Sequence, residues 1–237
     1  MAVNQYLEAA LQAREYSEIA SEVVRVAEGG KILDWGCGAG QVSKLMADLG
    51  GDVASCDFDP ESPGVESVPF ERYPDLAALR TNDPIKLPYE DETFDVVLSC
   101  GVLEHVEAPL ASLAELRRVL KVGGSLLVYK LPNRYSALEF VAKVGGLPYH
   151  GMRVHDTLWG LRSTRWALQS AGFDVDWVKR ANLLPLTVHN DALTRHADRL
   201  WRLNRRLERA PGLNLLATNV DAKATKPPGV RRREAVS

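Results

Sequence analysis

"LDWGCGAG", residues 33–40, reads as a short buried strand running into a glycine-rich turn, and this junction decides the fold. "KILDW" supplies the strand. Gln41 to Leu49 follows with Val42, Leu45, Met46 and Leu49 at helical spacing, and Gly50 and Gly51 stop it. "DVASCD" then reads as a second strand, which completes a β-α-β unit.

The alternation extends both ways. Upstream, Tyr6 to about Glu28 carries Leu7, Leu11, Ile19, Val23, Val24 and Val26 among polar residues, predicting one or two helices that Gly29 and Gly30 end. Downstream, prolines at 60, 63, 69 and 74 oppose a long helix, and a short third strand is expected to end near Thr81. "FDVVLSC" predicts a buried strand, "PLASLAELRRVL" an amphipathic helix stopped by Gly123 and Gly124, and "SLLVYK" another strand. "STRWALQSAG" predicts a helix with Ser163 as N-cap and Gly172 as stop; "FDVDWV" and "LLATNVDAKA" predict the last two strands. Such alternation implies an α/β fold with a mostly parallel sheet covered on both faces.

A chain of 237 residues, 46% hydrophobic and 25% charged, suits one soluble domain. No run approaches the ~18–20 apolar residues of a membrane span, and "MAVNQYLEAALQAREY" lacks a signal peptide's basic start and apolar core, so a cytoplasmic location is expected. Cys37, Cys56 and Cys100 are odd in number and lack C-x-x-C spacing, which argues against disulfides and a metal site. They fall near the carboxyl ends of predicted strands and read as small packing residues.

In sheets of this kind ligands sit beyond the carboxyl ends of the strands, where a tight glycine turn and a helix N-terminus approach them. Gly36, Gly38 and Gly40 occupy that place. The dinucleotide pattern G-x-G-x-x-G would need glycine at 41, counting from Gly36, and Gln41 stands there. Asp57, 19 residues beyond Gly38 at the end of the second strand, is placed to accept from a ribose diol, which suits NAD and an adenosyl cofactor alike. Asp34 separates them: an acid before the glycines repels a pyrophosphate and attracts the ammonium of an amino-acid moiety. Each residue also has a purely structural use, the glycines closing a turn, the acids capping helices and Phe58 joining the core.

With these residues in place, the sequence resembles the class I S-adenosylmethionine-dependent methyltransferases, particularly the small-molecule, ubiquinone-type group. "LDWGCGAG" is similar to their first motif, "CDFDP" to the second, "NDPIKLPYEDETFDVVLSCGVLEHV" to the third and fourth, and "LKVGGSLLVYKLPN" to the fifth strand and its turn. The resemblance runs from Lys31 to about Asn133 and thins beyond. It implies a three-layer sandwich with a Rossmann-like, seven-stranded sheet and an antiparallel last strand, and S-adenosyl-L-methionine as cofactor. By the same resemblance Asp34, Gly36, Gly38 and Gly40 would line the methionine part and Asp57 the ribose. Phe58 would cover one face of the adenine, Asp83 accept from its amino group, and Cys100 and Val102 flank the sulfonium.

Methyl transfer from a sulfonium is an in-line displacement, so the protein chiefly aligns a nucleophile and, where needed, removes a proton. His105, in "LEHV" after the fourth strand, and His155, beside Asp156 in "GLPYHGMRVHDTLWG" with His150, are the candidate bases. The "N/D-P-P-Y/F" signature of amino-methylating enzymes is replaced by "SCGV", which disfavours base N-methylation.

The net charge of −2 divides unevenly: residues 1–186 carry 18 Lys/Arg against 26 Asp/Glu, residues 187–237 carry 11 against 5. Arg195, Arg199, Arg202, Arg206 and Arg209 advance by four and three, forming one stripe of a predicted helix whose other side holds Leu193, Ala197, Leu200, Leu203 and Leu207. The stripe suits a solvated face, an anionic substrate, a phospholipid surface or an acidic partner, while the acidic body disfavours nucleic acid. With "LPNRYSALEF", which loosely resembles methyltransferases of cell-envelope glycan assembly, it suggests O-methylation of a phosphorylated or lipid-linked sugar and peripheral membrane contact.

The expected layout is an N-terminal helical lid over 1–30, a methyltransferase domain over 31–226 with a basic helical insertion near 187–210, and a basic tail over 227–237. An NAD-dependent oxidoreductase and a non-catalytic binding protein of the same fold are the alternatives.

Overall fold

A computed structural model describes residues 9–146, 157–184, 186, 194–210 and 212–228. His150, His155, Leu193 and the tail from 229 lie outside the described residues.

The elements run, in chain order, α1 (Ala10–Ala27), β1 (Lys31–Trp35), α2 (Gln41–Asp48), β2 (Asp52–Phe58), β3 (Glu66–Pro69), β4 (Ala77–Thr81), β5 (Phe94–Cys100), α3 (Pro109–Val119), β6 (Leu120–Pro132), α4 (Ala137–Val144), α5 (Leu161–Ser170), β7 (Asp174–Ala181), α6 (Ala197–Leu207) and β8 (Asn219–Thr225). The strands form one sheet in the order β3-β4-β2-β1-β5-β6-β8-β7. β4, β2, β1, β5 and β6 are parallel, and β8 runs antiparallel to both neighbours. This is the expected Rossmann-like architecture with an antiparallel last strand.

Side chains alternate across the sheet because successive Cβ atoms of a strand point to opposite faces. Ile32, Val96, Leu98, Leu127 and Tyr129 pack with Ile19, Val23, Val42 and Met46 of α1 and α2. Leu33, Val97, Leu126 and Val128 pack on the other face with Leu113, Leu116 and Leu168 of α3 and α5. Burial on both faces explains why these strands read as nearly continuous apolar runs.

Four local differences from the expectations have physical causes. The sheet has eight strands rather than seven: the proline-containing stretch after β2 forms β3, an edge strand antiparallel to β4. α3 ends at Val119 because Leu120 is already extended (φ −74°, ψ 139°), so Gly123 and Gly124 lie inside β6 instead of stopping the helix. α5 begins at Leu161; Ser163 sits one turn inside, its Oγ accepting from Gly160 N at 2.9 Å. The segment before β8 is a 3-10 turn, Leu213–Leu216, so the strand itself starts at Asn219.

Of the five arginines expected on one helix, Arg199, Arg202 and Arg206 lie on α6, Arg195 precedes it and Arg209 follows it, and all five are exposed. The inward face of α6 is rotated from the expected one: Trp201 and Asn204 are buried, whereas Leu203 is exposed. Trp201 packs with Leu11 and Leu186, and its indole donates to Glu18. Asn204 Oδ1 accepts from Leu183 N at 2.9 Å and Leu184 N at 3.2 Å, satisfying the backbone where the chain leaves β7. A buried amide does there what no leucine could.

Candidate active site

β1 ends against the glycine turn, which the backbone of β2 closes: Gly36 N and Cys37 N both donate to Cys56 O, at 2.8 and 3.2 Å. Gly36 has φ +72°, and a Cβ there would lie 2.4 Å from Val102 Cγ2, so the loop after β5 packs directly on this backbone. Gly38 has φ +55° and faces open space, with nothing within 4 Å of a built Cβ. One glycine is required by crowding, the other by backbone conformation.

Asp34 lies beneath the turn, 2% exposed, and accepts from Ser43 Oγ at 2.6 Å; Ser55 Oγ donates to Ser43 Oγ at 2.9 Å. Burial pushes its carboxyl up to about 6, against the opposing hydrogen bond from Ser43. Asp57, at the end of β2, accepts from Gly38 N at 2.9 Å, from Phe58 N at 2.9 Å and from Arg80 Nη1 at 3.2 Å. Burial raises its carboxyl, and Arg80 and the two N–H groups work the other way.

The turn opens into a cavity of about 990 Å³. Of the residues singled out in the sequence, Asp34, Gly36, Gly38, Cys100 and His105 line it. Gly40 lies in the same turn under Phe70, whose ring a Cβ at Gly40 would meet at 2.7 Å. Val102 abuts Gly36 from behind. Asp57, Phe58 and Asp83 are not among the described residues that line the cavity. Phe58 is exposed, and the Asp83 carboxylate turns back to accept from Ile85 N at 2.9 Å and Lys86 N at 2.8 Å. His105 is half-exposed at the rim, its Nε2 3.8 Å from Glu104 Oε1. Burial raises the thiols of Cys37 and Cys100 far above their ordinary range and that of Cys56 to about 12, in keeping with packing rather than reactivity.

The arrangement fits the methionine half of S-adenosylmethionine: an open glycine cradle, a buried carboxylate beneath it for an ammonium, and the N-terminus of α2 for a carboxylate. The adenosine half would meet Asp57 behind its Arg80 partner.

The opposite wall was not legible in the sequence. Gln12, Glu15 and Tyr16 from α1, Lys130 from β6, Asn182 after β7, and Thr218 and Asn219 at the start of β8 line it. A lysine inside the apolar run "SLLVYKLP" was the one available signal.

Residues 33–128 match the family model described as "Methyltransferase domain". A ubiquinone biosynthesis O-methyltransferase of Cereibacter sphaeroides is 39% identical over 118 residues, covering 50% of this chain and 47% of that protein. A demethylmenaquinone methyltransferase of Paenarthrobacter aurescens is 36% identical over 117 residues, covering 49% of this chain and 45% of that protein. The matched part thus spans about half the length of these curated relatives. Among solved structures, a Burkholderia thailandensis 1,6-didemethyltoxoflavin-N1-methyltransferase with bound S-adenosylhomocysteine aligns with TM-score 0.56 at 16% identity, covering 93% of this chain and 80% of that one. The cyclase SpnF aligns with TM-score 0.57 at 20% identity, covering 92% and 83%. These two carry the fold alone. Residues 33–128 are thus a methyltransferase domain, similar in sequence to part of the ubiquinone and demethylmenaquinone methyltransferases.

Proposed function

We propose that this protein transfers a methyl group from S-adenosylmethionine to an oxygen of a small-molecule acceptor. The observation that carries the reading is the glycine turn over buried Asp34, opening into a cavity large enough for cofactor and acceptor together. The cofactor, when bound, supplies an electrophilic methyl group on a sulfonium. The chain's own residues bind and orient: Asp34 meets an ammonium, Gly38 leaves room for the ligand, and Cys100 and Gly101 form the floor at the end of β5. The first turns of α1 serve as the lid, since Gln12, Glu15 and Tyr16 close one side of the cavity and keep water from the reacting centre. His105 at the rim is placed to receive a proton from the acceptor and pass it to solvent.

Quinone-type acceptors are supported by the names of the relatives. A second reading, a phosphorylated or lipid-linked sugar, rests on the exposed arginine stripe of α6. None of those arginines is among the described cavity-lining residues, so the anionic part of such an acceptor would lie outside, with the protein against a membrane surface. No helix among the described residues is long and apolar enough to cross a membrane, which is compatible with the expected cytoplasmic, peripheral placement.

The test is transfer of a labelled methyl group from S-adenosylmethionine into a fractionated cell extract. Label in a quinone-type lipid fraction supports the first reading and label in a glycan fraction the second. Label confined to protein or nucleic acid contradicts both.

A further inference from the structure

Lys130, its side chain 18% exposed, is a largely enclosed charge to which methyl transfer assigns no task. It follows Leu126, Leu127, Val128 and Tyr129, all buried, and its own backbone is left-handed at φ +67°. A side chain held in that region is strained and persists where its surroundings fix it, commonly at functional sites. The ladder breaks here: the pairing of β6 with β8 shifts register between Val128 and Leu131, and Lys130 N donates instead to Asp221 Oδ1 at 3.1 Å.

The strain aims the side chain at the cavity. Lys130 Nζ donates to Glu15 Oε2 at 3.1 Å and lies 4.6 Å from the centroid of the Tyr16 ring. Glu15 is its one hydrogen-bond acceptor among the described residues, so an ammonium with three protons has donors to spare. The other carboxylate oxygen of Glu15 is taken by Asn182. Two more polar atoms of this wall, Gln12 Oε1 and Thr218 Oγ1, are buried with no hydrogen-bond partner among the described residues. Buried polar atoms are rarely left so unless something else satisfies them.

The position is also right for an acceptor. β1, β5 and β6 are consecutive in the sheet, and strands lie about 4.8 Å apart, which puts Lys130 roughly 10 Å from the end of β1, one strand beyond Cys100. A cofactor on the glycine turn would present its methyl group over β5, between the turn and the lysine.

Resting on the methyl-transfer reading, we propose that Lys130 binds the acceptor as an oxyanion: its ammonium, steadied by Glu15 and Tyr16, donates to an ionised aromatic or enolic hydroxyl and holds it in line for methylation. The acceptor's O–H proton leaves to solvent through the cavity mouth as the anion forms against Lys130. The oxygen then makes the new O–C bond as the methyl–sulfur bond breaks, its electron pair staying on sulfur. Lys130 keeps its proton throughout. Burial works to discharge it, but the Glu15 carboxylate opposes burial and the ammonium is held above its ordinary range. Of the other groups facing it, Tyr16 is raised to about 12 and Cys100 well above its usual value, so both are neutral near pH 7, while burial brings Asp221 up to about 7.

The probe is 4-nitrocatechol, whose ionised form absorbs in the visible, titrated with pH on the protein in the presence of S-adenosylhomocysteine. On the wild-type protein the bound probe is expected to ionise at lower pH than free probe, by at least tenfold in its ionisation constant. Lys130→Met is expected to erase that shift and weaken binding at least tenfold. Glu15→Gln keeps a hydrogen-bond acceptor but removes the charge that holds Lys130 as an ammonium, and it is expected to reduce the shift less than Lys130→Met does; retained S-adenosylhomocysteine binding in both variants shows that the fold is kept. A shift that survives Lys130→Met, or a wild-type protein that does not bind the probe, overturns the proposal. Binding of S-adenosylhomocysteine, measured separately, keeps the two failures apart: retained with no probe shift, it removes the role of Lys130 alone; absent, it removes the methyl-transfer reading.

Discussion

Asp34 is a buried carboxyl beneath a loop of glycines, and its burial has a measurable consequence for stability. Its folded value near 6 exceeds the ordinary 3.8, so the folded state holds the proton more tightly than the unfolded chain. The associated stability is complete below about pH 4 and is lost as pH rises through 6, a loss on the order of 3 kcal/mol. Asp34→Asn keeps an acceptor for Ser43 but has no charge to desolvate. It is therefore expected to be more stable than wild type at pH 7.5 by about 1–3 kcal/mol in urea unfolding, with the difference vanishing at pH 4, while binding S-adenosylhomocysteine at least tenfold more weakly. Parallel pH profiles for the two proteins would contradict this. Gly36 and Gly38 separate packing from binding in the same way. Gly36→Ala drives a methyl into Val102 and is expected to lower stability by about 2 kcal/mol or more, whereas Gly38→Ala carries only about 1 kcal/mol of backbone strain yet fills the open space proposed for the cofactor. Thermal melts paired with ligand titrations distinguish them: Gly38→Ala should lose far more affinity than melting temperature. These residues were legible because their meaning is local, a spacing at a strand end. Lys130 and Glu15 were not, because the pair joins positions 115 apart.

α1 is divided between two jobs. Its second half, Ile19 to Ala27, is anchored in the core against β1, β5 and α2, while its first half is held by Leu11 against Trp201 of α6 and by Glu18 paired to Arg205 at 2.6 Å. Trp201→Ala empties that small cluster, a loss on the order of 3 kcal/mol, and its effect is expected to stay local. Hydrogen exchange should rise in residues 10–18 and α6 while residues 19–27 keep their protection; uniform loss across α1 would show that the helix opens as one unit. Periodicity located α1 but could not divide it, because the division depends on α6, distant in sequence. β3 illustrates the same limit from the other side. Prolines oppose a long helix after β2, yet only the pairing of Glu66–Pro69 with Ala77–Thr81 makes that stretch a strand.

Across the whole molecule, the order of strands and helices was readable because doubly buried strands and amphipathic helices each leave a local pattern, whereas strand order in the sheet leaves none. The family model ends at residue 128, and Gln12, Glu15, Tyr16, Lys130, Asn182 and Thr218 of the acceptor wall all lie outside the matched segment. The segment matched by the family model therefore includes the glycine turn and leaves out the wall that carries Lys130. The glycine turn is proposed to hold S-adenosylmethionine rather than a dinucleotide. Calorimetric titration of the wild-type protein with S-adenosylhomocysteine and, separately, with NAD tests it most directly. Saturable one-to-one binding of S-adenosylhomocysteine and no heat from NAD is the expected result; saturable binding of NAD with none of S-adenosylhomocysteine would contradict it.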